Sequence, residues 1–244
     1  MRYLFIHAHP DDETLSTGTI IACLVAGGHE VLVLTATRGE MGMAIEGSLN
    51  EGQDLAQVRE TERIRALHAL GAVDAGWLGA YPNRNPNHPE RRYRDSGMEW
   101  VTPTIAGPSP DSTPDSFCQA NTDEILDDLE AAIGHHLPDV LVSYDSTGGY
   151  GHPDHVRCHE VAKQVARTCG IPCGEIHTTS TPTGTRGSWE ESFDAHECGG
   201  GVLVGKILDA HRSYPTQFTV DKGKIIHVGG QEQEVILSGR LSFP

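Results

Sequence analysis

Blocks of apolar and polar residues alternate over the first eighty or so positions of the chain, and they predict alternating strands and helices. Continuous apolar runs at Tyr3–Ile6 and Val31–Leu34 predict strands buried on both faces. Between them, residues 11–26 carry apolar side chains at helical spacing and end at two glycines, as helices commonly do. Gln53–Leu70 predicts a second helix and Ala75–Leu78 a third strand. This alternation favours an α/β fold, with a mostly parallel sheet covered by helices on both faces.

The pattern breaks between Tyr81 and Asn121, where prolines recur throughout. We therefore predict a long loop region, which in a compact domain is usually functional or disordered. Regular structure is predicted to resume with a helix at Asp123–His136, a buried strand at Val140–Val142 and a helix at Pro153–Thr168.

The remainder of the chain carries weaker signals. They predict a short helix at Val204–His211 and strands at Ile225–Val228 and Val235–Leu237. The chain has no internal repeats, and no change of composition is sharp enough to mark a linker. We therefore interpret residues 1–244 as a single domain, with an α/β core over about 1–170 and a small appended C-terminal segment over about 171–244.

Charge and composition narrow the classes of partner. The 244-residue chain has 18 Lys and Arg against 34 Asp and Glu, a formal net charge of −16 at pH 7. Nucleic acid and anionic membrane surfaces are excluded as partners, because both require a basic face. The 14 histidines, together with the excess of acids, are the residue types from which metal sites are built.

Further observations favour a cytoplasmic protein. The apolar run before His7 is too short for a signal peptide, and no stretch approaches the ~18 apolar residues of a transmembrane helix. Without a secretory signal, the six cysteines are expected to be free thiols in a reducing compartment. The sequence predicts no particular oligomeric state.

Potential metal ligands are concentrated after two of the predicted strands. His7–Glu13 follows the first strand, Gly151–His155 follows the strand at Val140–Val142, and both segments contain His-Pro-Asp. Ligands of open α/β sheets bind beyond the carboxyl ends of strands, and imidazoles with a carboxylate suit catalytic Zn²⁺. One His-Pro-Asp alone would more often be a helix start, but two copies at equivalent strand ends favour a metal site. Cys169 and Cys173 form a weaker rival pair.

With these two motifs the chain resembles the LmbE/PIG-L family of zinc-dependent N-deacetylases over roughly residues 1–170. Arg94–Met98 and Tyr144-Asp145 support the resemblance. It implies a Rossmann-like fold, and it implies that His9, Asp12 and His155 hold the metal. Zn²⁺ and Fe²⁺ are both compatible with such ligands.

The resemblance also implies catalytic roles that chemistry makes reasonable. Asp11 is the expected general base, since it neighbours a metal ligand and would face the attacking water. Tyr150 or His152 would stabilise the oxyanion, and Asp154 would orient or charge His152. Either Asp11 or His152 would protonate the leaving amine.

Two further residues are expected to bind substrate. Arg59 lies at a position that resembles the family's sugar-binding arginine, although an exposed helical arginine paired with Glu62 is the alternative. Asp95 is expected to accept hydrogen bonds from sugar hydroxyls, although it could instead form a turn. Gly39 is expected to allow close backbone approach near the site.

Within the family, the motif segments are most similar to the deacetylases of mycothiol biosynthesis. This implies removal of the acetyl group from an N-acetylglucosamine conjugate, most closely N-acetylglucosaminyl-inositol. A mycothiol S-conjugate amidase is the nearest alternative, but there a lysine tends to follow the first motif, where this chain has Leu15-Ser16-Thr17. Deacetylation of another N-acetyl sugar, or a non-catalytic sugar- or metal-binding module, are further alternatives. Asp11 argues against the last, because a pure binder needs no base.

Overall fold

The structure is a computed structural model and describes residues 1–177 and 189–244. Its helices and strands, in chain order, are β1 (Arg2–His7), α1 (Asp12–Leu15), α2 (Gly18–Ala26), β2 (Glu30–Thr35), α3 (Leu55–Leu70), β3 (Val73–Trp77), β4 (Met98–Thr102), β5 (Ile105–Pro108), a 3₁₀ helix (Phe117–Gln119), α4 (Thr122–His136), β6 (Val140–Tyr144), α5 (Gly148–Gly151), α6 (Pro153–Cys169), β7 (Cys173–His177), β8 (Trp189–Asp194), α7 (Ala195–Arg212), β9 (Phe218–Asp221), β10 (Lys224–His227), β11 (Glu232–Glu234) and β12 (Ser238–Phe243).

A seven-stranded sheet in the order β3-β2-β1-β6-β7-β12-β8 forms the centre of the fold. The first five strands are parallel, and β12 runs antiparallel to both of its neighbours. A small β4–β5 hairpin and the three-stranded β9–β11 meander lie outside this sheet. The prediction of a mostly parallel α/β sheet is confirmed.

Alternate residues of β1 supply two hydrophobic cores, one on each face of the sheet. Tyr3 and Phe5 pack with α2, α3 and α7, whereas Leu4 and Ile6 pack with α4 and α6. Successive side chains of a strand point to opposite faces, so an uninterrupted apolar run is what a doubly covered strand requires.

The single helix predicted for residues 11–26 is wrong, because the chain forms α1 and α2 with a break between them. At the break the Thr17 hydroxyl donates to the Glu13 carbonyl at 3.1 Å and lies 3.0 Å from His7 Nε2. A threonine side chain that bonds to the backbone competes with continuation of the helix.

The loop predicted for Tyr81–Asn121 is also partly wrong. Strands β4 and β5 form an antiparallel hairpin there, and a 3₁₀ helix follows. Pro103 lies in the hairpin turn and Pro108 at the end of β5, so prolines bound these strands without interrupting them.

Three features of the C-terminal region differ from prediction. The helix predicted at Val204–His211 extends over Ala195–Arg212, and Val235–Leu237 lies between strands. Gly200, with φ of 58°, interrupts α7 and hides its helical periodicity. Strands β7, β12 and β8, which the sequence did not predict, extend the sheet of β1. The division of the domain at about residue 170 stays a prediction.

The six cysteines are free, as expected. In the part of the chain that the structure describes, no helix combines the length and the apolar character that a bilayer crossing requires.

Candidate metal centre

The candidate site lies at the carboxyl ends of β1 and β6. These strands are neighbours in the sheet, and from them the chain order proceeds outward in opposite directions. Such a switch point opens a crevice at the edge of the sheet, which is where α/β proteins bind ligands. The loop after β1 carries the first His-Pro-Asp motif to this edge, and the segment after β6 carries the second.

The first motif holds Asp11 in a left-handed backbone conformation. Its φ is 97°, and its N–H donates to Glu13 Oε2 at 3.1 Å. Glu13 is fully buried and also accepts from the Tyr214 hydroxyl at 2.7 Å. A left-handed non-glycine residue is strained by about 1–3 kcal/mol and persists only where its surroundings hold it. The buried Glu13 carboxylate provides part of that support.

Asp12 lies between His9 and His155. One carboxylate oxygen is 3.3 Å from His155 Nε2, and the other is 3.4 Å from His9 Nδ1. The latter oxygen also accepts from the His9 N–H at 2.8 Å and from the Tyr144 hydroxyl at 2.7 Å. Burial raises the pKa of Asp12, but the two neighbouring histidines outweigh it and hold the pKa well below its usual range.

The second motif begins α6 with Pro153 in the first turn, as predicted. His152 is the N-cap, and its Nδ1 accepts from the Asp154 N–H at 3.2 Å. His155 Nδ1 is 3.1 Å from the Gly148 carbonyl, which directs Nε2 toward Asp12. That buried Nε2 makes no well-oriented hydrogen bond within the described residues. A buried nitrogen of this kind is available to a metal.

The ligand atoms of this region form two groups, each with its atoms within 4.8 Å of one another. One group is His9, His152 and His155, and the other is His9, Asp95 and Asp154. Imidazole nitrogens with carboxylate oxygens are donors that suit a divalent transition metal. This donor set fits a divalent metal ion. The predicted ligand Asp12 belongs to neither group, although one of its oxygens lies 3.3 Å from His155 Nε2, so the set His9, Asp12 and His155 stays a prediction.

His9 is the residue that the two groups share. Its Nε2 lies 3.2 Å from Asp154 Oδ2 and 3.3 Å from Asp95 Oδ1. Burial lowers the pKa of His9, but the carboxylates of Asp95, Asp12 and Asp154 outweigh it and raise the pKa well above its usual value. Three carboxylates around one imidazole create a site that attracts positive charge.

Two residues that the sequence reasoning gave no role hold the carboxylates of the site. Ser96 donates to Asp154 through its N–H at 2.9 Å and through its hydroxyl. The carboxylate of Asp154 thus contacts Ser96 and His9, and its predicted effect on His152 stays a prediction. Tyr144 bridges the Ala8 N–H and Asp12. Both residues lie in segments on which the family resemblance rests. That resemblance was the one signal in the sequence that could have assigned them to the site.

Arg59 is buried, which excludes the exposed-helix alternative. Its guanidinium donates to Asp11 Oδ2 at 2.9 Å, to the Gly39 carbonyl at 2.8 Å and to the Pro10 carbonyl. Burial raises the pKa of Asp11 to about 7, and the charge of Arg59 opposes part of this rise. Arg59 therefore orients the predicted base, and its contact with a sugar stays a prediction.

Asp95 and Tyr150 lie around the same cluster. Asp95 accepts from the Met41 N–H at 3.1 Å and the Gly97 N–H at 2.9 Å. The Tyr150 ring centroid is 5.2 Å from that of His155 and 6.1 Å from that of His152. The structure thus gathers all nine predicted site residues at one edge of the sheet.

Gly39 provides a test of the packing around Arg59. Its φ is +66°, and a Cβ there would overlap the Arg59 guanidinium. We expect Gly39→Ala to lower the free energy of unfolding by about 2–3 kcal/mol, measured by urea denaturation. Gly47→Ala is the matched control, since φ is +76° and no atom lies within 4 Å of its Cβ position. Equal losses in the two variants would show that Arg59 packing contributes nothing.

Fold and site together define an α/β protein with a buried histidine–carboxylate cluster, suited to a divalent metal, at the switch point of its sheet. The chain belongs to the PIG-L family, whose model, described as GlcNAc-PI de-N-acetylase, matches residues 4–166.

Similar proteins extend this assignment. A 1D-myo-inositol 2-acetamido-2-deoxy-alpha-D-glucopyranoside deacetylase of Saccharopolyspora erythraea is 41% identical over 170 residues, which are 68% of this chain and 53% of that protein. A deacetylase of the same description from a Nocardioides species is 38% identical, over 70% of this chain and 55% of its own. The chain thus spans about half the length of the curated relatives it matches.

Solved structures share the fold. A crystal structure of a deacetylase–teicoplanin complex superposes with a TM-score of 0.62 at 18% sequence identity, covering 100% of this chain and 97% of that one. The Rossmann-like architecture implied by the sequence resemblance is therefore common to both proteins.

Proposed function

We propose that this protein is a zinc-dependent N-deacetylase that removes the acetyl group from an N-acetylglucosamine conjugate. The specific substrate that we propose is 1D-myo-inositol 2-acetamido-2-deoxy-α-D-glucopyranoside, which is deacetylated in mycothiol biosynthesis. The observation that carries the proposal is the buried cluster of His9, Asp12 and His155 beside a carboxylate, Asp11, whose pKa burial raises to about 7. The two relatives named for this reaction support the substrate, and the free thiols support a cytoplasmic setting.

In this proposal His9, Asp12 and His155 hold the metal, with Fe²⁺ as the alternative to Zn²⁺. A divalent metal in such a site supplies a Lewis acid that lowers the pKa of water and polarises an amide carbonyl. Asp11 accepts the proton of the attacking water, a task for which a pKa close to the working pH is favourable. Arg59 fixes the direction of the Asp11 carboxylate through the 2.9 Å hydrogen bond.

Tyr150 and His152, whose ring centroids lie 5.2 and 4.9 Å from that of His155, act on the substrate. Burial raises the pKa of Tyr150, so its hydroxyl keeps the proton that it can donate to the developing oxyanion. Burial and the nearby His9 and His155 hold the pKa of His152 well below its usual value, so it enters the reaction as a neutral imidazole. Protonated Asp11 delivers the proton to the leaving amine, either directly or through His152, which must first accept it because it begins as a neutral imidazole. Asp95 accepts hydrogen bonds from sugar hydroxyls.

Acetate release tests the proposal directly. We expect the zinc-loaded protein to release acetate from N-acetylglucosaminyl-inositol, to lose this activity after treatment with a chelator, and to recover it when zinc is restored. Preferred cleavage of bulky thiol conjugates would instead favour the amidase. Absence of chelator-sensitive release from a panel of N-acetylglucosaminides would favour a non-catalytic binding module.

A matched pair of histidine variants tests the metal ligands. His155→Ala is expected to lower the zinc content, measured by elemental mass spectrometry, to a small fraction of the wild-type value, because it removes a buried donor. His135→Ala removes an exposed histidine at the end of α4 and should leave the zinc content unchanged. Full zinc occupancy in His155→Ala would contradict the ligand assignment.

A further inference from the structure

An aromatic side chain that the mechanism does not use lies next to the candidate site. The Trp100 ring in β4 is 5.8 Å, centroid to centroid, from the Tyr150 ring, at an interplanar angle of 33°. Tyr150 in turn lies 5.2 Å from His155. Tyr150 thus lies between Trp100 and the histidine–carboxylate cluster. The two rings form a continuous aromatic wall that leads away from this cluster.

The hairpin that carries Trp100 is anchored to the site at its beginning. Asp95 contacts His9, and Ser96 bonds to Asp154. Strand β4 starts two residues later, at Met98, and leads away from these anchors. At ~3.3 Å per residue, Trp100 lies no more than about 16 Å along the chain from Asp95. Trp100 is therefore held within reach of a ligand that contacts Asp95.

The second strand of the hairpin packs closely against α5. Gly151 has φ of +90°, and a Cβ there would lie 2.7 Å from the Ala106 carbonyl oxygen and 3.3 Å from Ile105 Cγ2. Only glycine permits this approach of the two backbones. Contacts at both ends therefore fix the position of Trp100 relative to Tyr150 and the histidines.

Three apolar side chains of the hairpin are exposed. Trp100 is 51% exposed, Val101 67% and Ile105 53%. Exposed apolar groups clustered beside a polar site commonly mark a binding surface. Because Trp100 lies against Tyr150, the occupant that fits this exposed ring is the part of a substrate that extends beyond the reacting acetamido group.

We propose that Trp100, together with Tyr150, is a stacking subsite for the second ring of the substrate, an uncharged six-membered ring joined to N-acetylglucosamine by a glycosidic bond. The inference rests on the proposed deacetylase function and adds the residue that selects the aglycone. Flat aromatic faces stack on the apolar faces of rings, and the contact requires no charge on the ligand. The wall therefore favours a cyclitol, sugar or aryl aglycone over a small alkyl group.

Kinetics with two kinds of substrate test the subsite. For Trp100→Ala we expect kcat/KM to fall about tenfold with the inositol and phenyl N-acetylglucosaminides, mainly through KM. With the methyl glycoside, kcat/KM should change less than twofold, since that substrate has no second ring. Trp100→Phe should restore most of the preference. Equal losses on all three substrates, or no loss on any, would overturn the inference.

Val101→Ala is the matched control. Val101 follows Trp100 in β4, is more exposed, and has Cγ2 2.7 Å from the position that a Cβ on Gly107 would occupy. This variant should keep the wild-type preference for ring aglycones.

A binding measurement separates failure of the subsite from failure of the deacetylase proposal. Calorimetric titration of the zinc-loaded wild-type protein with phenyl and methyl N-acetylglucosaminide should give a lower Kd for the phenyl compound, and Trp100→Ala should remove the difference. If no substrate releases acetate but this difference is found, the deacetylase proposal is wrong and the ring subsite stands. If acetate is released and wild type binds both glycosides equally, the subsite inference is wrong.

Discussion

Asp11→Ala is expected to lower kcat for acetate release by at least about 100-fold while the zinc content stays unchanged. In the proposed mechanism the Asp11 carboxylate accepts a proton from water, which alanine cannot do, and burial raises the pKa of this carboxylate to about 7. Asp11→Asn should lower kcat by a similar factor. Its side-chain oxygen can still accept from Arg59, as Asp11 Oδ2 does now at 2.9 Å, but an amide is no base. Steady-state kinetics and elemental analysis measure the two quantities.

The control for these variants is Asp127→Asn, which makes the same chemical change at an exposed aspartate in α4. It should retain wild-type kcat. Near-normal turnover in Asp11→Asn would show that another group accepts the proton, and loss of zinc in Asp11→Ala would show that Asp11 is a ligand.

The largest expected effect on stability comes from Asp128, a buried carboxylate that lies outside the candidate site. Asp128 has no exposed surface and accepts from Arg84 Nη1 at 2.9 Å, from the Tyr93 hydroxyl at 2.8 Å and from the Asn85 N–H at 3.0 Å. Asp128→Ala should lower the free energy of unfolding by ~3–5 kcal/mol, because it leaves a buried guanidinium poorly compensated. Denaturant titration measures the change.

The neighbouring Asp127→Ala removes an exposed carboxylate from the same helix and should change the free energy of unfolding by about 0.5 kcal/mol or less. A loss below about 1 kcal/mol in Asp128→Ala would mean that Glu124, 2.8 Å from Arg84, compensates the guanidinium by itself. The comparison also tests whether Asp128 holds residues 84–93 in place, because Arg84, Asn85 and Tyr93 all bond to its carboxylate.

The sequence predicted best those strands and helices whose signals lie within their own residues. Strands β1, β2 and β6 are continuous apolar runs because helices cover both faces of the sheet. Helix α3 begins after Asp54, whose side chain accepts from the Ala56 N–H, and ends at Gly71 with φ of 80°. These start and stop signals are local, so they can be predicted from one sequence.

The residues of the candidate site could be predicted to the extent that they are concentrated in two short motifs at strand ends. Contacts made across long sequence separations leave no periodic signal. Ser96 bonds to Asp154, 58 positions away, and Tyr214 bonds to Glu13, 201 positions away. Strand β12 was missed for a similar reason, since its place in the sheet depends on pairing with β7 and β8.

The bond between Tyr214 and Glu13 limits how this chain can exchange parts with its relatives. The family match ends at residue 166, yet the buried carboxylate that supports Asp11 is bonded to a tyrosine beyond that point. Thr216 likewise bonds to the buried Glu62 of α3 through its N–H and hydroxyl, at 2.9 and 2.7 Å. A chimera that joins residues 1–170 to the C-terminal part of another family member would retain every motif residue. It would need an equivalent of Tyr214 to hold Glu13 beside Asp11, and an equivalent of Thr216 to bond Glu62.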